Sequence, residues 1–204
     1  MKNRERIDLL QLDREIRSEG FRVFCGVDEA GRGPLAGPVY AAAVILPEGY
    51  CPTELDDSKK LSEKKRAALY DEITENAVSY GIASASAEEI DTLNILNATF
   101  LAMNRAIEQL NREIELALVD GNTVSGIRFP ARCFVGGDGR SAAIAAASIL
   151  AKVSRDRCMC ALAETYPQYG FEKHKGYGTK AHYEALRACG PSPVHRRTFL
   201  RKMH

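Results

Sequence analysis

The chain has 204 residues, 45% of them hydrophobic and 27% charged, with a net charge of +1, the makeup of one globular domain with a real core. It lacks the roughly 18 successive apolar residues of a membrane span, and its N-terminus, MKNRERIDLLQLDREIR, is charged throughout, without the apolar centre of a signal peptide. Six cysteines in a chain this long do not make a disulfide framework, so the cytoplasm is the expected location.

Ile7, Leu10 and Ile16, with charges between them, predict a short N-terminal helix within residues 1–20. Phe21, Val23, Cys25 and Val27 alternate with Arg22, Phe24, Gly26 and Asp28, the period of a strand over Phe21–Asp28. A second strand, Val39–Leu46, is closed by Pro47 and Gly49. Ser62 is placed to cap a helix reaching about Asn76, and a third strand lies near Ser79–Ser86. Leu96, Phe100, Met103, Ile107 and Leu110 then step by four and three, marking an amphipathic helix. Leu116–Asp120 is an apolar strand ending in a carboxylate, and a fifth strand around Arg132–Val135 leads to Asp138. Ala142–Val153 is apolar nearly all round, a buried helix that continues towards Ala163, and a last helix fits Lys180–Ala188. Such an order predicts an α/β protein with a mixed sheet.

The densest chemistry lies in CGVDEAGRGPLAGP, Cys25 to Pro38, where adjacent carboxylates, Asp28 and Glu29, meet a glycine-rich loop carrying one arginine. Burying neighbouring anions without a cation is costly, so a divalent ion is the natural compensation. Asp120 also ends a strand. If the two strands are neighbours, a spacing of about 5 Å brings both acids to shared ions. Each acid alone has a plainer reading, because Asp beside Gly is common in turns. Cys158 and Cys160, two apart, would point to different sides of a helix, which makes a poor zinc site. Charge divides unevenly along the chain. Residues 152–204 hold 11 Lys and Arg against 4 Asp and Glu, whereas the remainder holds 17 against 23. That suits an acidic metal site in one part and a phosphate-contacting surface in the other, or a solvated basic face.

DEAGRGPLAGPV resembles the signature of bacterial ribonuclease HII, which cuts the RNA part of RNA/DNA hybrids. The likeness continues in family order through DDSKKLSEKKR (Asp56–Arg66), LVDGN (Leu118–Asn122), SILAKVSRDR (Ser148–Arg157), HKGYGT (His174–Thr179) and GPSPVHRRTF (Gly190–Phe199). The resemblance implies a ribonuclease H-like mixed five-stranded sheet flanked by helices: an N-terminal helix (about 1–20), a catalytic core (about 21–165) and a small basic C-terminal helical lobe (about 166–204) in one domain. It implies Asp28, Glu29, Asp120 and Asp138 as the four active-site acids. They would bind Mg²⁺ or Mn²⁺, two ions with substrate present, to leave 5′-phosphate and 3′-hydroxyl ends. Gly31, Arg32 and Gly33 would contact the ribonucleotide's 2′-hydroxyl, and Tyr177 would stack on the next sugar. The implied partners are RNA/DNA hybrids and duplex DNA containing single ribonucleotides, bound by a monomer.

Lys59, Lys60, Lys152, Arg196 and Arg197 are candidate phosphate contacts. Lys59 and Lys60 read equally as a solvated pair, and Arg196 and Arg197, with His195, form a basic tail that reads as structural or backbone-contacting. One departure from the family pattern stands out: members usually carry Lys-Gly-Asp at the fourth acid, where this chain has Gly136-Gly137-Asp138. Two rival readings remain, another metal-dependent nuclease of the same fold and a module that holds hybrids without cutting. A P-loop is set aside, because the Gly-Lys-Ser/Thr ending is missing.

Overall fold

Short β-branched and alanine-rich segments pair into a single sheet in the computed structural model, which describes residues 8–52, 55 and 61–201. The strands are β1 (Phe24–Ala30), β2 (Val39–Ile45), β3 (Ser79–Ala85), β4 (Leu116–Asp120) and β5 (Ala131–Phe134), in the order β3-β2-β1-β4-β5. The first three are antiparallel neighbours, while β4 runs parallel to β1 and β5 parallel to β4. This is the predicted mixed sheet.

Strand alternation gives the sheet two buried faces. Cys25, Val27, Ala41, Ala43, Ala117 and Val119 pack on one side against α4 (Ile95–Glu108) through Ala98, Ala102, Met103 and Ala106. Phe24, Ala42, Val44, Leu116 and Leu118 face the other side, covered by α5 (Ala142–Thr165) and α2 (Glu63–Asn76). The small residues of α5 let it lie close to β1. At Gly26 a Cβ would stand 2.1 Å from the Ala143 carbonyl carbon, so only glycine fits there. The start of α5 is fixed from a distance: Ser141 Oγ accepts from Ile144 N at 3.1 Å and donates to Asp13 at 2.5 Å. Asp13 belongs to α1 (Gln11–Ser18), the predicted N-terminal helix.

Three differences from the sequence expectations matter. β1 begins and ends later than predicted, so Asp28 and Glu29 lie within it, paired in register with Ala42 and Ala41 of β2. Leu96 is 38% exposed, so the first residue of the predicted apolar run misses the core, while Leu110 lies past the end of α4 yet still packs against that core. A further helix, α3 (Ala87–Leu93), precedes α4, started by a capping box between Ser86 and Glu89. C-terminal α6 (Phe171–His174), α7 (Lys180–Cys189) and α8 (Arg197–Leu200) gather near the far half of α5. There Tyr169, Phe171 and Leu186 pack with Met159, Ala163, Leu35 and Ala36.

Candidate functional site

Parity within the strands brings the first carboxylates together. Asp28 shares the α5 face of β1 with Phe24, and Asp120 shares the α5 face of β4 with Leu116 and Leu118. The parallel register ends at Val27 opposite Val119, so one step on the two acids stand level on adjacent strands. Asp28 is only 7% exposed and hydrogen-bonds Ser148 of α5. Burial, then the charges of Glu29 and Asp120, push its carboxyl well above the ordinary range. Glu29 has the opposite parity yet lines the same cleft from the strand end. Burial raises its carboxyl too, against the opposing pull of Arg32, whose guanidinium stands 3.3 Å away. Asp120 is steadied by the Gly137 N–H, which donates to Oδ1 at 2.8 Å.

These three acids line a cleft of about 540 Å³ with Gly31, Arg32, Gly33, Arg66, Ser148, Lys152, Arg155 and Tyr177. Asp138 sits beside Gly137 in the turn Gly137–Gly139 but is not among the lining residues. Among the described residues, no three His, Cys, Asp or Glu side chains already stand as a ligand set. The donor chemistry nonetheless fits a hard cation: crowded carboxylates, held apart from solvent and raised by mutual repulsion, lose that penalty when a dication joins them.

The loop after Glu29 is held by two buried arginines. Arg155, 1% exposed, donates from Nε to Pro38 O at 3.1 Å and from Nη2 to Ala36 O at 3.3 Å. Arg196, fully buried, donates to Gly37 O (2.9 Å), Arg32 O (2.8 Å) and Gly31 O (2.6 Å). Gly31 takes φ +98°, a conformation that suits glycine. Tyr177, 45% exposed, closes the opposite wall, its ring centroid 5.9 Å from the Arg155 guanidinium.

The family model for ribonuclease HII matches residues 25–203. The chain belongs to the ribonuclease HII family. Its relatives include the ribonuclease HII of Endomicrobium trichonymphae, 54% identical over 94% of this chain and 92% of that one. The Marinomonas sp. (strain MWYL1) ribonuclease HII is 59% identical over 87% of this chain and 89% of its own. Among solved structures, ribonuclease H2 from Pyrococcus horikoshii OT3 superposes with a TM-score of 0.72 at 25% identity, covering 89% of this chain and 97% of that one. Membership makes the protein an endonucleolytic hydrolase of the ribonuclease H type. Among the described residues, no helix is long and apolar enough to cross a membrane.

Against this family frame the candidate phosphate contacts divide. Arg196 is not placed to meet phosphate, because it is fully buried and each of its three guanidinium nitrogens donates to a backbone carbonyl inside the protein. Arg197 is exposed on α8, away from the cleft lining, and its N–H donates to Asp91. Lys152 lines the cleft and pairs with Asp156 at 2.8 Å. Lys59 and Lys60 lie outside the described residues. Gly136 is exposed with open space around it, so the family's usual lysine is missing as a charge and not as a packing group. Sequence reasoning missed Ser148 and Arg66, although both lie inside blocks that carry the family likeness. A serine in an otherwise apolar helical run, one turn before Lys152, was the available signal for the first.

Proposed function

We propose that this ribonuclease HII cuts the RNA strand of RNA/DNA hybrids and the backbone at single ribonucleotides in duplex DNA, using Asp28, Glu29, Asp120 and Asp138. The observation that carries the proposal is the level placement of Asp28 and Asp120 on adjacent strands, with the Asp28 carboxyl raised by burial and by its acidic neighbours, beside the Gly31–Gly33 loop. The four acids would hold Mg²⁺ or Mn²⁺, with two ions when substrate is bound. A divalent cation there supplies positive charge to the reacting phosphate and makes water a better nucleophile at neutral pH. The protein's own groups do the rest. Asp28 and Asp120 are fixed by Ser148 and by the Gly137 N–H, so little reorganisation is left for the reaction. Water adds to phosphorus, the bond from phosphorus to the 3′ oxygen breaks, and that oxygen takes up a proton, leaving 5′-phosphate and 3′-hydroxyl ends.

Carboxylates cannot distinguish RNA from DNA; the 2′-hydroxyl must be read by other groups. Gly31, Arg32 and Gly33 border the acids, and Gly33 has open backbone facing Tyr177. We assign the loop to the 2′-hydroxyl and its phosphates, and Tyr177 to the neighbouring deoxyribose, where an added hydroxyl would clash. Lys152 and Arg66 supply cleft cations for the backbone. The six unpaired cysteines support a reducing compartment, the cytoplasm, and the single chain supplies every proposed group, as a monomer would.

The test is incubation with duplex DNA carrying one ribonucleotide, with Mg²⁺ and with EDTA, and mapping of the ends. Cleavage 5′ of the ribonucleotide that leaves 5′-phosphate and stops in EDTA is expected. Digestion from a terminus would indicate an exonuclease, and retention without cutting a binding module.

A further inference from the structure

Behind Tyr177 lies a buried group that the reaction does not consume. His182 is fully buried and His195 2% exposed, with their Nε2 atoms 3.0 Å apart. The donors at each end fix both tautomers. Ser192 N donates to His195 Nδ1 at 3.0 Å, so that nitrogen is an acceptor and the His195 proton sits on Nε2. His182 Nδ1 is 2.9 Å from the Tyr177 carbonyl, which only accepts, so its proton sits on Nδ1. One directed chain results: Ser192 N–H to His195, His195 Nε2–H to His182, His182 Nδ1–H to Tyr177 O. His174 stacks on His182, with ring centroids 4.6 Å apart, and accepts from Gly176 N at 3.2 Å, closing the turn that carries Tyr177.

The next residue, Arg196, holds the opposite wall through Gly31 O and Arg32 O. Burial, then the Arg155 charge, push the pKa of its guanidinium down to about 9, which leaves it cationic at neutral pH. The two walls are also tied directly. Leu35 N donates to Gly176 O, Gly37 N to Val194 O and Arg196 N to Leu35 O.

We propose that the buried dipeptide His195–Arg196 is the positioning element of the ribonucleotide site, with His195 setting Tyr177 through His182 and Arg196 setting Gly31 and Arg32. The inference rests on the reading that Tyr177 and the Gly31–Gly33 loop touch the substrate. Neither residue meets the nucleic acid. Each holds backbone whose displacement by about 1 Å can cost on the order of 100-fold in rate.

The test measures kcat and KM with Mg²⁺ on duplex DNA bearing one ribonucleotide and on an RNA strand paired with DNA. The variants are His195→Phe, Tyr177→Ala, their double and Arg196→Lys. His195→Phe keeps the ring volume and removes all three of the ring's hydrogen bonds, to Ser192 N, Ser192 Oγ and His182, and should lower kcat on the lone ribonucleotide at least about tenfold with KM within about twofold. The double variant should be no slower than Tyr177→Ala alone, because both act on one group. Arg196→Lys keeps the charge without the fork and should also fall about tenfold. Multiplying losses in the double variant, or an active His195→Phe beside an impaired Tyr177→Ala, overturn the positioning role and leave the substrate reading standing. An unimpaired Tyr177→Ala overturns the substrate reading and the inference together. If the variants do not fold, ¹⁵N spectra of the histidines in the unaltered protein decide it. His195 protonated on Nε2 and His182 on Nδ1 are expected, and any other pair of states at neutral pH overturns the chain.

Discussion

A Cβ placed on Gly31 would stand 1.9 Å from Nε of Arg155, so these two residues share a space that holds only one side chain. Arg155 fills it in order to reach the carbonyls of Ala36 and Pro38. Gly31→Ala therefore meets two penalties, the collision and an alanine at φ +98°. The expected cost is about 1–3 kcal/mol of stability from backbone strain, with cleavage falling further as the loop is displaced. Chemical unfolding of the variant beside a cleavage assay checks both. Unchanged stability would mean that Arg155 moves aside freely.

Asp28→Asn and Asp120→Asn should each abolish cleavage, leaving less than about a tenth of the wild-type rate, while hybrid binding persists. In metal-free buffer the stability effect has a definite sign. The Asp28 carboxyl is raised above its unfolded value, so the native state is penalised at neutral pH and relieved as pH falls towards the ordinary carboxylate range. Melting in EDTA should show Asp28→Asn more stable than wild type at pH 7, with the gap closing on acidification. Adding Mg²⁺ should raise the wild-type melting temperature more than the variant's.

His195 contributes with the opposite slope. Burial, then the neighbouring His182, push it down to about 4 from 6.5. A base with a depressed folded pKa leaves the unfolded chain binding more protons, so stability is lost as pH falls from about 6.5 to about 4. Above that window the group adds no pH dependence. His195→Phe should flatten this part of the stability profile, and a difference between variant and wild type that stays constant from pH 7 to pH 4 would contradict the assignment.

Lys152 lines the cleft, whereas Arg196 is sealed inside the protein. Lys152→Gln should weaken hybrid binding and reduce the slope of log K against log salt by about one. Fluorescence anisotropy at several salt concentrations measures this directly. An unchanged slope would confine Lys152 to its ion pair with Asp156.

Tyr177→Phe keeps the ring and the backbone carbonyl that His182 holds, so it should retain much of the activity lost in Tyr177→Ala. The two variants compared on a lone ribonucleotide separate stacking from any role of the hydroxyl.

Much of the frame was legible from local pattern. Leu116–Asp120 is found with the bounds its apolar run predicts, and Ser62 caps α2 by accepting from Lys65 N at 3.3 Å. Period, caps and strand-ending acids act over a few residues, so a single sequence carries them. β1 was misjudged at its end because its last residues are kept extended by hydrogen bonds to β2, a partner that local alternation cannot see.

The sequence by itself determined the α/β class, the family, and which acids are candidates for the site. Only the tertiary structure decided that Asp28 and Asp120 stand level, since that depends on the parallel register of two strands about ninety positions apart. It also decided the fate of the basic tail. From the sequence Arg196, beside His195 and Arg197, reads as either a structural residue or a phosphate contact, and the carbonyls that claim it lie 159 to 165 residues earlier in the chain. A guanidinium with five fixed donors can be buried only where acceptors converge on it, and that convergence exists only once the chain has folded.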